Sequence, residues 1–468
     1  MLEGLEANVV SLSETRSSSD ELRIDSNFFH SNELLERMAA FSALPLASLC
    51  DWITQGPNPV FEDEGCSGIP CLTGRNIRGH SIETLDADIV SPAEFALFPR
   101  FHLKKGDVLV TLKGAGSTGK MAFCDQDKPM MFSRNVGLVR LSQKNAPAAE
   151  YIYVLFSCRY GQQLIDRGVT GGTGQLTLPT SYLKRFPIPN FPLLAQRIKE
   201  LVLTSKQLSV EAEEQVTQAE QTLLRSLGLE TWQPPEPLTY TRRASEALAA
   251  GRIDSDFFAP ARYAALTALA TMPHKLLSER CDPIREMFDP NDPGEITHVR
   301  NFDLTDALKP SLDDSQEIVP VGEIGSMKKR MKRGDLAVSR LRSYLREIAV
   351  VRTSPEVPTV GSSEFIVLRP QAGVDSELLM VFLRSFPVQT ILKYCQEGNQ
   401  HPRFNEDNLL NIPVPDVLIE TTESITQSIR AAHAARQEAQ SLLERAKRAV
   451  EIAIEQGEAA GMEFLNAK

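Results

Sequence analysis

Two stretches of the chain place apolar or small residues at alternating spacings of four and three, the pattern of a helix that packs along one seam. The first runs Leu194, Ile198, Leu201, Ser205, Leu208, Ala212, Gln215, Ala219 and Thr222, apolar at its start and polar later. No Pro or Gly interrupts the chain between Pro192 and Gly228, and that glycine stands where a helix C-cap belongs. The second runs Ile425, Ile429, Ala432, Arg436, Ala439, Leu443, Ala446, Val450 and Ala453, broken only by Arg436. At about 1.5 Å per residue such helices span about 55–60 Å, more than a small domain can cover. The pattern therefore predicts that they pack on each other or on a partner, with Ile198, Leu201, Leu208, Ile425, Ile429, Leu443 and Val450 as seam contacts. A helical hairpin with no further role is the plain alternative.

Ahead of each helix the same succession of patterns appears. Strand-like apolar alternation leads to a Lys-Lys/Arg-Gly-Asp turn and another strand. Next come a short amphipathic helix, a Gly/Asn loop and an apolar strand ending in P-x-P. Arg23-Ile24-Asp25-Ser26-Asn27-Phe28-Phe29 recurs as Arg252-Ile253-Asp254-Ser255-Asp256-Phe257-Phe258. Arg75-Asn76-Ile77 corresponds to Arg300-Asn301-Phe302, and Lys104-Lys105-Gly106-Asp107 to Lys332-Arg333-Gly334-Asp335. Phe186-Pro187-Ile188-Pro189 corresponds to Ile412-Pro413-Val414-Pro415, and all these offsets fall between 225 and 229 positions. Near-constant offsets mean a tandem duplication of an α+β unit. The expected organisation is an N-terminal extension (1–42), a first domain (43–190), a central long helix (191–230), a Pro-rich linker (231–251), a second domain (252–416) and a C-terminal long helix (417–460).

Composition narrows the class without naming a function. With 468 residues, 42% hydrophobic and 24% charged, the chain is globular and too long for one core. A net charge of −11 disfavours a polybasic coat for nucleic acid or membrane, though not local basic patches. The opening residues lack the order of a signal peptide, and no apolar run approaches the roughly 20 residues of a spanning helix, so a cytoplasmic protein with no membrane contact is expected. Seven cysteines with no C-x-x-C read as reduced and mostly buried thiols.

The segment from Gly114 to Met121, GAGSTGKM, matches G-x-x-x-x-G-K but offers Met121 where a phosphate-binding loop needs a metal-ligating hydroxyl. The stretch from Met121 to Cys124 looks like a strand rather than a helix, and the second copy has no glycine at this place, so a variable loop between two strands is the better account. Basic residues gather here in both copies. Between Met327 and Arg346 eight of them face the single acid Asp335, and the first copy has a similar excess from Arg100 to Arg140. Such an excess is an electrostatic footprint for a polyanion, against the alternative of a solvated charged face. Two further loops precede the P-x-P strands, Gly171 to Leu176 and Glu397 to Phe404. Candidate base-reading residues are Lys113, Ser117, Thr118, Lys120 and Gln175 in the first copy, and Arg340, Arg342, Tyr344, Arg346, Gln400 and Arg403 in the second. Lys328, Lys329, Lys332 and Arg333 are candidate phosphate contacts, and Arg75, Asn76, Arg300 and Asn301 complete the candidate DNA-binding set. The chain carries no G-x-S-x-G, H-E-x-x-H or Asn-Pro-Pro-aromatic motif and no metal-spaced cluster among its histidines, so no catalysis by this chain is expected.

In this order and twice over, these elements resemble the specificity subunit of type I restriction-modification systems. The most family-like stretches are KKGDVLVTLKGAGSTGK from Lys104, GGTGQLTLPTSYLKRFPIPNFPLLAQ from Gly171 and KRGDLAVSRLRSYLREIAVV from Lys332. The resemblance implies two target-recognition domains, each reading one half of a split double-stranded DNA sequence, and two long helices paired as an antiparallel coiled coil. It implies DNA adenine methyltransferase subunits as partners, two per chain, with restriction and translocase subunits joining them in phage defence. S-adenosylmethionine and ATP with Mg²⁺ would be bound by those partners, and no cofactor or metal by this chain. The N-terminal extension departs from the commonest pattern. Rival readings are the recognition subunit of another methyltransferase-based system, type IIB or phage exclusion, and a coiled-coil scaffold with no DNA role. A nucleotide-hydrolase reading rests only on the defective GAGSTGKM motif.

Overall fold

The computed structural model describes residues 13, 32–63, 67–78, 81–82, 84, 86–114, 117–142, 146–171, 176–420 and 422–467. It is a mixed α+β chain of two compact units. One comprises the described residues up to Leu208 with those from Glu438 onward, and the other Ser209–Gln437. Both long helices are present, Pro192–Ser226 and Thr422–Gln456, each of 35 residues. They pair antiparallel, and each gives one half of its length to each unit.

In the first unit, Leu194, Ile198, Leu201 and Val202 share one core with Leu442, Leu443, Ala446, Val450 and Ile454. The buried Ser205 hydroxyl donates to the Ala439 carbonyl at 2.7 Å, so a polar seam position is satisfied across the pair. In the second unit, Ala219, Leu223 and Leu227 pack with Ile425 and Ile429. Leu208 is partly buried. At the end of the first helix the buried stripe moves from Thr222 to Leu223, because a helix of about 3.6 residues per turn drifts away from a 3.5-residue repeat.

The sheets of the two units repeat each other. In the first, strands lie in the order Cys50–Gln55, Val136–Leu141, Val108–Thr111, Met121–Phe123. In the second the order is Cys281–Ile284, Phe365–Pro370, Leu336–Ser339, Ile348–Val351, with Ser311–Leu312 added at the edge. Each P-x-P strand closes its domain by pairing antiparallel with the start of its own copy, Leu44 with Ile188 and His274 with Pro415. Where the sequence predicts one short amphipathic helix per copy, there are two. Ala149–Ser157 precedes Arg159–Gly168, and Ser376–Arg384 precedes Phe386–Cys395. Pro387, in the first turn of its helix, forces the second break. In the first, a Cβ on Gly161 would lie 1.9 Å from the Leu155 carbonyl oxygen. Tyr151–Phe156 and Glu377–Leu383 are buried all round, so these first helices are core helices and not amphipathic ones. No single described helix is long and apolar enough to cross a membrane.

The helix Asn32–Ala39, expected to belong to an extension, sets Leu34 and Met38 into the core of the first unit. It corresponds by the duplication to Pro260–Ala270 of the second. The RIDSNFF stretch of the first copy and Cys66 lie outside the described residues. The described cysteines are all free, and burial pushes the thiols of Cys71 and Cys281 up to about 12.

The duplicated Lys-Lys/Arg-Gly-Asp turn has a common internal anchor. Gly106 and Gly334 take φ of +92° and +90°, which a side chain would strain. The Asp107 carboxylate accepts the Lys104 N–H at 2.8 Å and both Nε and Nη2 of Arg140, at 2.8 and 2.6 Å. Asp335 accepts the Lys332 N–H at 2.8 Å and the same two nitrogens of Arg369, at 2.8 and 2.9 Å. Both aspartates are almost wholly buried. Arg140 is 19% exposed where Arg369 is 40% exposed. Solvent screens the second pair more, so Asp107→Asn is expected to lower the stability of its unit by about 3 kcal/mol and Asp335→Asn by about half as much, measured by denaturant unfolding. In the helix pair, Leu443→Asp places a charge where the side chain is 5% exposed. It should destabilise the first unit by several kcal/mol, about the desolvation cost of a charge, while leaving unfolding of the second unit unchanged.

Candidate nucleic-acid interface

The loop that joins Val108–Thr111 to Met121–Phe123 is a closed hairpin turn. Gly119 N–H donates to the Thr111 carbonyl and Thr111 N–H to the Lys120 carbonyl, both at 2.8 Å. The Gly114 carbonyl accepts from the N–H groups of Ser117 and Thr118 and from the Thr118 hydroxyl at 2.9 Å. The segment is flanked by strands on both sides, so it supplies no helix N-terminus for a phosphate. Lys113 and Lys120 stand exposed at the two ends of this hairpin, with Ser117 and Thr118 half-buried between them. Neither lysine has an ion-pair partner among the described residues.

In the second copy the loop lies between Leu336–Ser339 and Ile348–Val351. Arg342 and Arg346 both hold left-handed backbone, at φ of 48° and 54°, a conformation that costs a non-glycine residue energy and that clusters at functional sites. The Arg346 guanidinium reaches Glu220 on the first long helix at 3.4 Å. Tyr344 is 57% exposed at the loop's tip.

Each loop joins the other candidate loop of its copy through the same three-way backbone junction. Lys113 bridges Thr177, which bridges Thr170; Leu341 bridges Arg403, which bridges Glu397. Leu178 N–H donates to the Leu112 carbonyl at 2.8 Å, and Phe404 N–H to the Arg340 carbonyl at 3.1 Å. The structure therefore brings Lys113, Ser117, Thr118 and Lys120 together in one unit. In the other it brings together Arg340, Arg342, Tyr344, Arg346, Gln400 and Arg403. Gln175 lies outside the described residues.

Several other expected contacts have structural work instead. Asn76 is fully buried; its side-chain oxygen accepts the Thr73 N–H at 2.8 Å and its amide donates to Asp86 at 3.1 Å, so it holds a turn. Arg75 is bound to the Asp88 carboxylate and the Asp86 carbonyl. Arg300 is buried, donating to the Gln316 carbonyl at 3.1 Å and pairing with Asp314 at 2.8 Å. Asn301 is half-buried in the strand His298–Phe302. Asn76 and Arg300 are thus buried fold-holding residues and not free contacts, whereas Arg75 keeps 53% of its side chain exposed beside Asp88.

The basic run of the second copy is also divided. Lys332 and Arg333 sit on the turn before Leu336–Ser339 and the candidate loop comes after it, so about 13 Å of strand separates them. Lys328 is only 13% exposed and lies 3.8 Å from Asp303. Lys329 is half-buried in a strand of another sheet. Long-range pairing supplies acids that a count along the chain misses: Glu364 for Arg340 and Arg403, Glu220 for Arg346, and Glu286 for Arg330.

Two residues beyond the predicted set support the second loop. Glu364 binds Arg403 and Arg340 together, and their hydrogen bonds hold its carboxyl down at about 2. Arg252, the first residue of the recurring RIDSDFF element, donates to the Cys395 carbonyl at 3.0 Å and to Glu397 at 2.9 Å, bracing the base of the loop. The repetition of that element was its sequence signal; Glu364 had none.

No family model matches the chain, and no curated protein matches it. Among solved structures it is similar to the S subunit of a type I restriction-modification system from M. genitalium, at 13% identity and a TM-score of 0.39, over 87% of this chain and 94% of that one. It is also similar to the HsdS subunit from Thermoanaerobacter tengcongensis, at 14% identity and a TM-score of 0.28, over 89% and 96% of the two chains. A chain from a study of complex assembly and conformational transition of the type I R-M system gives 14% identity and a TM-score of 0.28, over 86% and 97%.

Because Asn76 is a turn-holder, Asn76→Ala should lower the stability of the first unit by about 1–3 kcal/mol, the cost of leaving buried partners unpaired. Chemical denaturation measures it, and any DNA affinity of the folded fraction should stay unchanged.

Proposed function

We propose that this chain is the DNA-specificity subunit of a type I restriction-modification system, each unit reading one half of a split double-stranded sequence. The observation that carries this reading is the junction built twice on one backbone plan with different side chains. Lys113, Ser117, Thr118 and Lys120 surround the first, and Arg340, Arg342, Tyr344, Arg346 and Arg403 the second. Two reading heads of one design and unlike chemistry suit a target whose halves differ. Side chains of these types bond base edges in the major groove, while exposed lysines position the phosphates.

The paired helices are the docking platform for two DNA adenine methyltransferase subunits, and restriction and translocase subunits join that complex in the cytoplasm as a phage defence. The partners bring S-adenosylmethionine, ATP and Mg²⁺; this chain selects the site and does no covalent chemistry. With a net charge of −11, phosphate neutralisation by this chain alone is small. Enclosure of the duplex by the methyltransferase subunits supplies the missing affinity.

The isolated chain should therefore bind duplex DNA weakly and gain both affinity and selectivity with its partner. Titration of target and scrambled duplexes with and without the partner tests this, and tight selective binding by the lone chain would refute it. Reading should be modular. Arg342→Ala is expected to relax one base position in one half-site, at about 1–3 kcal/mol of discrimination. Lys332→Ala, at an exposed phosphate-contact candidate, should weaken all sequences alike and reduce the salt slope by about 1. Sequencing of methylated bases in cells carrying each variant distinguishes the two outcomes.

A further inference from the structure

We infer that Glu364 is a positioning residue that makes Arg340 a reader of guanine in the half-site taken by the second unit. The inference rests on the reading of the chain as a DNA-specificity subunit and adds a base identity to it.

The geometry leaves one guanidinium edge uncommitted. Glu364 Oε2 accepts Nε of Arg340 at 2.8 Å and Nε of Arg403 at 3.0 Å, while Oε1 accepts Nη2 of Arg403 at 2.9 Å. Arg403 spends its remaining nitrogen on the His401 carbonyl at 2.9 Å. Arg403 is thus a strut. Arg340 is held by Nε alone, and its two terminal nitrogens have no partner among the described residues. Its side chain is 42% exposed against 23% for Glu364, so the arginine is the more accessible member of the pair.

A guanidinium fixed at Nε presents Nη1 and Nη2 as a planar pair, the donor pattern that matches O6 and N7 of guanine. Cytosine reading by Glu364 is disfavoured because both its oxygens already accept. A phosphate is disfavoured because the carboxylate bonded to Arg340 Nε offsets much of the guanidinium's net charge. The Arg340–Glu364 contact stays ionised over the physiological range, since the carboxyl loses its proton far below neutrality.

The first unit has the same backbone at this place and none of the fork. Leu112 N–H donates to the Asn135 carbonyl at 2.8 Å as Arg340 N–H donates to the Glu364 carbonyl at 3.2 Å. Leu112, Asn135 and Thr177 stand where Arg340, Glu364 and Arg403 stand. Guanine reading by this device is therefore confined to one half-site, and the other half-site serves as an internal control for folding.

The test is selection of bound duplexes from a random-sequence library by the full chain copurified with its methyltransferase partner, using wild type, Arg340→Ala, Arg340→Lys and Glu364→Gln. The expected wild-type consensus has a G·C pair in the second half-site, preferred by about 5- to 150-fold. Both Arg340 variants lose that preference. Glu364→Gln loses most of it at the same position, without a fall in affinity for scrambled duplex and with the first half-site consensus intact. Glu364→Gln retaining the wild-type preference overturns the positioning role. Arg340→Ala weakening all sequences equally shows a phosphate contact and overturns the base assignment. A wild-type complex that selects no sequence overturns the specificity-subunit reading itself, and this inference with it.

Discussion

Neither principal sheet closes its own core; each is covered by one half of both long helices. In the first, Val108, Val110, Phe123 and Val139 of the sheet share a single apolar cluster with Ile198, Val202, Ala446 and Val450. In the second, Leu336, Val338, Ile348 and Val350 share one with Ala219, Leu223, Ile425 and Ile429. Removing the helices would expose the inner face of the very strands from which the two candidate loops depart. Each loop is thereby tied to the helix segments of its own unit, since close-packed interiors transmit displacement rather than absorb it. Polar ties add to the packing. Lys206 reaches Asp125 at 3.0 Å across the ring of Phe123, and Arg346 reaches Glu220.

The same interior sorts the cations. Most arginines near the second candidate loop are committed to carboxylates or carbonyls of their own unit, which leaves positive charge accessible only at chosen points. Arg384 is the extreme case. Its guanidinium donates to the carbonyls of Ala307, Leu308 and Ile348, and burial beside Arg346 and Arg436 pulls its pKa down to about 10. No carboxylate among the described residues is bonded to it, so a fixed positive charge sits under the second loop, where it adds to the local potential without touching a ligand.

The fold was legible because duplication and periodicity are written along the chain. Heptad spacing located both helices, and the recurring Lys-Lys/Arg-Gly-Asp and P-x-P elements located both domains. What could not be read was pairing at long range. Arg300 and Asn76 look available in a sequence, yet Asp314 and Thr73 take them inward. The run from Met327 to Arg346 looks like one basic patch, yet a strand runs through its middle and separates its ends. Glu364 is an acid flanked by a serine and a phenylalanine, with nothing nearby in sequence to mark it. Its role exists only because the fold sets strand end, hairpin loop and Gly/Asn loop side by side.

Side-chain chemistry and backbone geometry have separated in the two copies. The Asp107–Arg140 and Asp335–Arg369 pairs and the matching bridges at Thr177 and Arg403 hold the same frame. The residues displayed on that frame differ almost completely, neutral at Leu112, Asn135 and Thr177 and charged at Arg340, Glu364 and Arg403. A frame held by ion pairs at the turn and by main-chain hydrogen bonds is common to both copies, while the side-chain ties that brace the second loop, Arg403 to Glu364 and Arg346 to Glu220, belong to that copy alone.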